Sequence, residues 1–309
     1  MKRLREFCFA HHITALWQVP LSDYTSFRIG GTAEAMLFPP SEGSFVMLLR
    51  FLRGEKIPFC VMGNGSNLLV TDEGVAAAVV STRHIRSVSV NGTSVTVGCG
   101  TPLSVLCRRL AESSLGGGEA LYGIPGTMGG AVYMNAGAYG VETADLVRFV
   151  SVVDTKSGEC KTLSCAECGF SYRHSVFMEK RQDVILSVEL LLSPRREELV
   201  REDMKRYLSL RMEKQPTALP SAGSAFRRPE GEYAARLISK AGLSGARVGG
   251  AAVSVKHNGF IVNLGGATAD DVIALLALVK ERVKERFDVS LVPEIEYLDE
   301  NGAIRDPLS

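Results

Sequence analysis

The chain has 309 residues, 46% hydrophobic and 22% charged, enough for two or three compact domains. Its 35 basic residues are spread among 34 acidic ones, for a formal net charge of +1, so no basic face announces nucleic acid or an anionic membrane. No run approaches the roughly 18 apolar residues of a membrane span, and MKRLREFCFAHHITALW lacks the apolar core and cleavage site of a secretory signal, so a cytoplasmic location is expected.

In chain order, Ser41 to Arg53 reads as a helix ending at Gly54, and Phe59 to Met62 as a short strand running into GNGSNLLV at Gly63 to Val70. Ala76 to Ser81 is a further strand, so residues 1–90 are expected to form a small α+β lobe. Val88 and Val90 should face Val95 and Val97 across Asn91-Gly92, a type I′ hairpin signal because both turn positions need positive φ. Leu103 to Ser114 is a predicted helix with Pro102 at its first turn and Gly116 to Gly118 beyond its end. A second glycine-rich stretch, GIPGTMGGAVYMNAGAYG, fills Gly123 to Gly140; a hairpin is expected around Thr155 to Glu159, and Val184 to Leu192 is an apolar strand. Residues 91–192 therefore read as a second, mainly β lobe.

The third part, residues 193–309, begins near Ser193-Pro194 with a charged helix from Glu197 to Met212. That helix places Leu199, Val200, Met204, Tyr207, Leu208 and Met212 on one face, expected to be core. Thr268 and Asp271 have capping-box spacing before a helix with Val272, Leu275, Leu276, Val279 and Val283 as its buried stripe. The segment LVPEIEYLD alternates like a strand. Seven cysteines, an odd number, fit reduced thiols better than a disulfide framework. Cys160, Cys165 and Cys168 overlap a ferredoxin-type spacing, but no fourth cysteine follows, so surface or semi-buried thiols in a hairpin region are expected there and no metal.

The two glycine-rich stretches carry the chemistry. Glycine tolerates positive φ and has no Cβ, so such segments can turn sharply and present successive N–H donors to a phosphate. A single such loop is equally well an ordinary tight connection. Two of them, both with Asn and Ser or Thr donors, point to a bound dinucleotide, although neither is a P-loop or a GxGxxG fingerprint.

With SFRIGG at Ser26 to Gly31, YRHSVF at Tyr172 to Phe177, SAGSAF at Ser221 to Phe226, KHNGFIVN at Lys256 to Asn263 and PEIE at Pro293 to Glu296, the chain resembles the UDP-N-acetylenolpyruvoylglucosamine reductase (MurB) family. The resemblance runs from Thr25 to Glu296 and implies an α+β fold: an FAD-binding half of the vanillyl-alcohol-oxidase/PCMH-like type in two lobes, followed by a C-terminal α+β substrate-binding domain. It implies FAD as cofactor, NADPH as reductant, and reduction of UDP-N-acetylglucosamine enolpyruvate to UDP-N-acetylmuramate by a protein expected to be a monomer. The implied flavin site falls on Gly63, Asn64, Gly65, Ser66, Asn67 and Leu68, and on Ile124, Pro125, Gly126, Thr127, Gly129, Gly130, Ala131, Asn135, Gly137 and Ala138. The implied catalytic set is Arg173, Ser224 and Glu294. Arg173 would polarise the substrate carboxylate, Glu294 would donate a hydrogen bond to the developing charge, and Ser224 would deliver a proton to carbon.

Tyr172, Lys214, Arg227, Arg228 and His257 are the implied substrate contacts. Arg228 stands where several family members carry Asn, and His257 is equally readable as a structural hydrogen bonder. The short connection between Ser175 and Asp183 resembles the family's shorter subclass, which lacks an inserted tyrosine lid. Two other readings stay open from residues alone. One is an oxidase on the same cofactor fold, against which stands the absence of His and Cys tethers in the glycine loops; the other is a non-enzymatic nucleotide-binding module.

Overall fold

The computed structural model describes residues 1–309. The chain folds into two compact units built from non-consecutive segments: Met1–Leu16, Met36–Asn64 and Val79–Leu210 in the first, Trp17–Ala35, Gly65–Ala78 and Arg211–Ser309 in the second. No helix is long and apolar enough to cross a membrane.

The first unit is organised by a five-stranded antiparallel sheet in the order Cys160–Ser164, Val147–Asp154, Asp183–Leu191, Ser94–Gly98, Val88–Asn91. Val150, Val152, Val188, Leu190, Val95 and Val97 are fully buried along it. A register shift between Ser151 and Val152 leaves Leu186 without a partner on the Val147–Asp154 strand, a β-bulge in that pairing. On the other side of the strand the Leu186 carbonyl accepts the N–H of Cys99 at 2.9 Å, one rung beyond the Ser187–Gly98 pair. The hairpin Val88–Asn91/Ser94–Gly98 has the expected register, Val88 opposite Val97 and Val90 opposite Val95. Its turn is one residue later than expected. Asn91 stays in the ladder opposite Ser94, so Gly92-Thr93 forms the turn, and of these only Gly92 has positive φ, 59°, as a type II′ turn requires.

Helices pack their apolar stripes as their period dictates. Ser41 caps Glu42–Gly54 by accepting the Ser44 N–H at 3.2 Å, and that helix buries Phe45, Leu48, Leu49 and Leu52. Pro102 precedes Leu103–Glu112, which buries Leu103, Leu106, Cys107, Leu110 and Ala111. The helix Glu197–Lys214 departs from expectation. Only Val200 and Met204 of its stripe are buried, and Met212 is 56% exposed near its C-terminus. A stripe identifies a face without telling how far along the helix a partner surface extends.

The core of the second unit surrounds Ala269–Phe287, whose Val272, Leu275, Leu276, Val279 and Val283 are all buried against Phe27, Ile29, Leu69, Phe226, Ile261 and Ile295. Two three-stranded sheets flank this helix. One runs Arg247–Val248, Ala251–Val253, Ile261–Asn263; the other runs Ile304–Arg305, Glu296–Leu298, Leu68–Val70, the last pair parallel.

The capping box is formed: Thr268 Oγ1 accepts the Asp271 N–H at 3.1 Å, and Asp271 Oδ2 accepts the N–H groups of Thr268 at 3.1 Å and Gly250 at 2.9 Å. These backbone donors hold the Asp271 carboxyl below the usual carboxylate range. Thr268→Ala removes one half of the box and is expected to destabilise the protein by about 1 kcal/mol. Urea unfolding should show a lower midpoint at unchanged slope; an unmoved midpoint would mean the cap contributes nothing.

Candidate functional site

In the first unit the strand Phe59–Met62 delivers Gly63 and Asn64 beside the second glycine-rich stretch. A Cβ on Gly63 would lie 2.6 Å from Thr127 Oγ1, so only glycine permits this approach. Asn64 Nδ2 donates to the Pro125 carbonyl at 3.0 Å and ties the two loops together. Thr127 caps the short helix Met128–Tyr133, and the first N–H groups of that helix are held by carbonyls from the end of the sheet: Met128 to Thr101 at 2.9 Å, Gly129 to Cys99 at 2.8 Å. A Cβ on Gly129 would press on Cys99 Cβ at 2.9 Å. Ile124 closes a turn onto the Leu121 carbonyl, the Gly126 carbonyl accepts from Leu103, and Gly130 donates to Thr127 Oγ1. Ala131 is buried.

Asn135 has its side chain wholly engaged by protein. Nδ2 donates to Glu142 Oε2 at 2.8 Å and to the Ser171 carbonyl at 3.0 Å, and Oδ1 accepts the Ala144 N–H at 3.0 Å. Arg173 occupies a tight turn closed by reciprocal Ser171 and His174 backbone bonds of 3.1 Å, with φ of 53°. Its Nη2 donates to the Gly137 carbonyl at 3.0 Å and its Nη1 approaches the Asn135 carbonyl at 3.4 Å, while its guanidinium lies 5.1 Å from the Tyr172 ring centre. Ala138 pairs with Val141 in the hairpin that follows.

In the second unit Gly65 has φ of 61°, and a Cβ there would meet the Tyr24 carbonyl at 2.7 Å. The Gly65 carbonyl accepts the Ser26 N–H and the Asn67 carbonyl accepts the Glu296 N–H. Because a trans peptide points its C=O and N–H oppositely, the N–H groups of Ser66 and Leu68 are directed away from those partners. Asn67 Nδ2 donates to the Glu294 carbonyl at 3.0 Å, and Glu294 N–H donates to the Ala225 carbonyl at 2.9 Å. Asn67, Ser224 and Glu294 are thus brought onto neighbouring backbone strips, with Ser224 bridged to Phe260 on its other side and both Ser224 and Glu294 half-buried.

The remaining expected contacts are more dispersed. Lys214 and Arg228 are exposed, the latter with its guanidinium 4.4 Å from the Tyr233 ring centre. Arg227 is half-buried and its N–H donates to the Val292 carbonyl. His257 Nδ1 accepts the Gly259 N–H at 3.2 Å, its ring stands edge-on to Phe260, and burial holds its pKa below the ordinary value.

These features fit FAD. The N–H groups of Ser66 and Leu68 are turned away from the partners of their own peptide carbonyls, and the buried Oγ1 of Thr82, beside the strand end that leads to Gly63, has no hydrogen-bond partner in the protein. Thr82 was not legible in the sequence, where it only closes an apolar strand. Glu142, the partner of Asn135, carried no signal either.

The fold is that of a flavin-binding oxidoreductase: residues 33–164 match the FAD binding domain family. Residues 215–298 match the family described as UDP-N-acetylenolpyruvoylglucosamine reductase, C-terminal domain. The chain is 44% identical to the UDP-N-acetylenolpyruvoylglucosamine reductase of Caldanaerobacter subterraneus subsp. tengcongensis, over 91% of this chain and 92% of that one. It is also 44% identical to the reductase of Thermotoga maritima, over 89% and 96%. The crystal structure of the Thermus caldophilus reductase (MurB) superposes with a TM-score of 0.77 at 36% identity, covering 92% of this chain and 98% of that one. The chain belongs to the UDP-N-acetylenolpyruvoylglucosamine reductase family.

Gly65→Val should give a folded protein that purifies without flavin, since the branched side chain must enter the Tyr24 carbonyl at a φ it resists; full flavin occupancy would remove Gly65 from the cofactor loop. For His257 the lowered folded pKa means that stability is complete above the unfolded value of about 6.5 and is lost as the pH falls below it. His257→Gln is expected to flatten the pH dependence of the thermal midpoint as the pH falls below about 6.5. Parallel curves for the two proteins would show that the buried imidazole does not set it.

Proposed function

We propose that this chain catalyses the FAD-dependent reduction of UDP-N-acetylglucosamine enolpyruvate to UDP-N-acetylmuramate, a step of peptidoglycan precursor synthesis, with NADPH as the electron donor. The observation that carries the reading is the 44% identity to a reductase of this name over nine-tenths of both chains. When bound, FAD supplies the two-electron chemistry that links the nicotinamide donor to the alkene of the substrate.

The protein's part is orientation, charge stabilisation and proton delivery. Reduction of an enolpyruvyl ether leaves negative charge on the carbon beside its carboxylate. Arg173 would meet that carboxylate, since a guanidinium presents its N–H donors in a planar fork that matches the two oxygens of a carboxylate. Glu294, when protonated, would donate a hydrogen bond to the same charge. Ser224 would give its proton to the carbon, since an alcohol held in reach can protonate a much stronger carbon base. Its backbone is gripped on both sides, by the Phe260 bridge and by the Ala225–Glu294 hydrogen bond, which supports a fixed position for the hydroxyl. Tyr172, Lys214, Arg227, Arg228 and His257 are the proposed substrate contacts, the cations suited to the diphosphate and the neutral imidazole to a hydrogen bond. We place the reaction in the cytoplasm, a reading supported by seven cysteines that form no disulfide.

The test is anaerobic. The flavin is reduced with one equivalent of NADPH, the enolpyruvyl substrate is added, and return of the oxidised-flavin absorbance is followed together with product. Ser224→Ala should be reduced by NADPH at the normal rate but reoxidised by substrate at least about 100-fold more slowly. Normal turnover in that variant would remove Ser224 as the proton donor, and a wild-type protein reoxidised only by oxygen would overturn the substrate.

A further inference from the structure

We propose that Tyr207 is a positioning residue for Arg173, acting through the hairpin that carries Tyr139; the inference rests on the reductase reading above. The hairpin consists of Gly137–Ala138 and Val141–Glu142, paired antiparallel. Its turn residues Tyr139 and Gly140 have φ of 53° and 85°, the type I′ arrangement. Glycine adopts such values freely, whereas a bulky aromatic residue there is strained and persists only where its surroundings hold it. The Tyr139 ring is stacked on Tyr207, with centroids 4.8 Å apart and planes inclined by 21°. Tyr207 belongs to the helix Glu197–Lys214, and the Arg206 guanidinium lies 4.9 Å from its ring centre. The tip of the hairpin is thereby fastened to a rigid element.

The other end of the hairpin holds the arginine. Arg173 Nη2 donates to the carbonyl of Gly137, which opens the hairpin, and Nη1 approaches the carbonyl of Asn135 just before it. The arginine backbone is fixed by its own turn, so these carbonyls decide where the end of the side chain lies. Only Ala138 separates Gly137 from the strained residue, and a tip released from Tyr207 would carry the Gly137 carbonyl with it. Tyr207 thus sets the aim of the guanidinium without touching it, a role that neither the glycine-rich motif nor the apolar stripe of the helix discloses.

The experiment uses the FAD-loaded enzyme and measures the two half-reactions separately. Tyr207→Phe keeps the stack and should behave as wild type. Tyr207→Leu, and independently Tyr139→Gly, which relieves the strained φ while removing the same stack, should slow flavin reoxidation by UDP-N-acetylglucosamine enolpyruvate on the order of tenfold or more, with reduction by NADPH unchanged. In an Arg173→Lys background, Tyr207→Leu should cost little more, because the interaction it serves is already lost. Hydrogen exchange at the amides of residues 139–142 should be faster in Tyr207→Leu with no substrate present and unchanged in Tyr207→Phe. Wild-type reoxidation by Tyr207→Leu, or equal slowing of the wild-type and Arg173→Lys enzymes, would overturn the positioning role. A wild-type enzyme that forms no UDP-N-acetylmuramate overturns the reductase reading and this inference with it.

Discussion

The buried carboxamide of Asn135 is the joint on which the arginine-bearing part of the first unit depends. It comes just after Met134, the C-cap of the helix Met128–Tyr133, has φ of 46°, which Asn tolerates better than most residues, and is fully excluded from solvent. Three separate segments converge on its side chain: the hairpin through Glu142, the following turn through Ala144, and the arginine turn through Ser171. An apolar residue here would strand these groups, at about 1–3 kcal/mol for each one left unsatisfied. The same residue's backbone carbonyl lies against Arg173, so one position shapes both the end of the second glycine-rich stretch and the arginine.

The second unit solves the corresponding problem with a sheet. The parallel register Leu68 with Glu296, Leu69 with Tyr297 and Val70 with Leu298 lays the first glycine loop's exit alongside PEIE. Asn67 then reaches the Glu294 carbonyl as a natural extension of the ladder, and Glu294 in turn holds Ala225 next to Ser224. A carboxylate and a hydroxyl far apart in sequence are thus placed by backbone hydrogen bonds, which tolerate little displacement, rather than by packing alone.

Much of this was legible beforehand where the signal is local. The stripe Val272, Leu275, Leu276, Val279, Val283 and the Thr268/Asp271 box were readable because period and cap are properties of neighbouring residues. The Val88/Val97 register was readable for the same reason, while the turn slipped by one because Asn91 gains more in the ladder than at a turn that Gly92 can open alone. What could not be read is which distant backbone supplies a partner. Nothing in GTMGG names Thr101 and Cys99 as acceptors, and nothing in GNGSNLLV reveals that its Asn64 and Gly65 belong to different compact units. Arg173 and Ser224 were recognisable only through their motifs; Glu142 and Tyr207, which support them or their neighbours, belong to no motif.

The thiols bear on how this chain meets oxidants. Burial pushes Cys8 up to about 11 and Cys60, Cys99, Cys107 and Cys168 up to about 12, so at neutral pH each is a small hydrophobe rather than a nucleophile. Cys99, whose carbonyl anchors the glycine helix, is therefore insulated from peroxide by the same burial that makes it a support. Cys160 alone is exposed, on an edge strand of the five-stranded sheet. A sulfenic acid or glutathione adduct would form first there, on the rim, sparing the framework behind the glycine-rich loops.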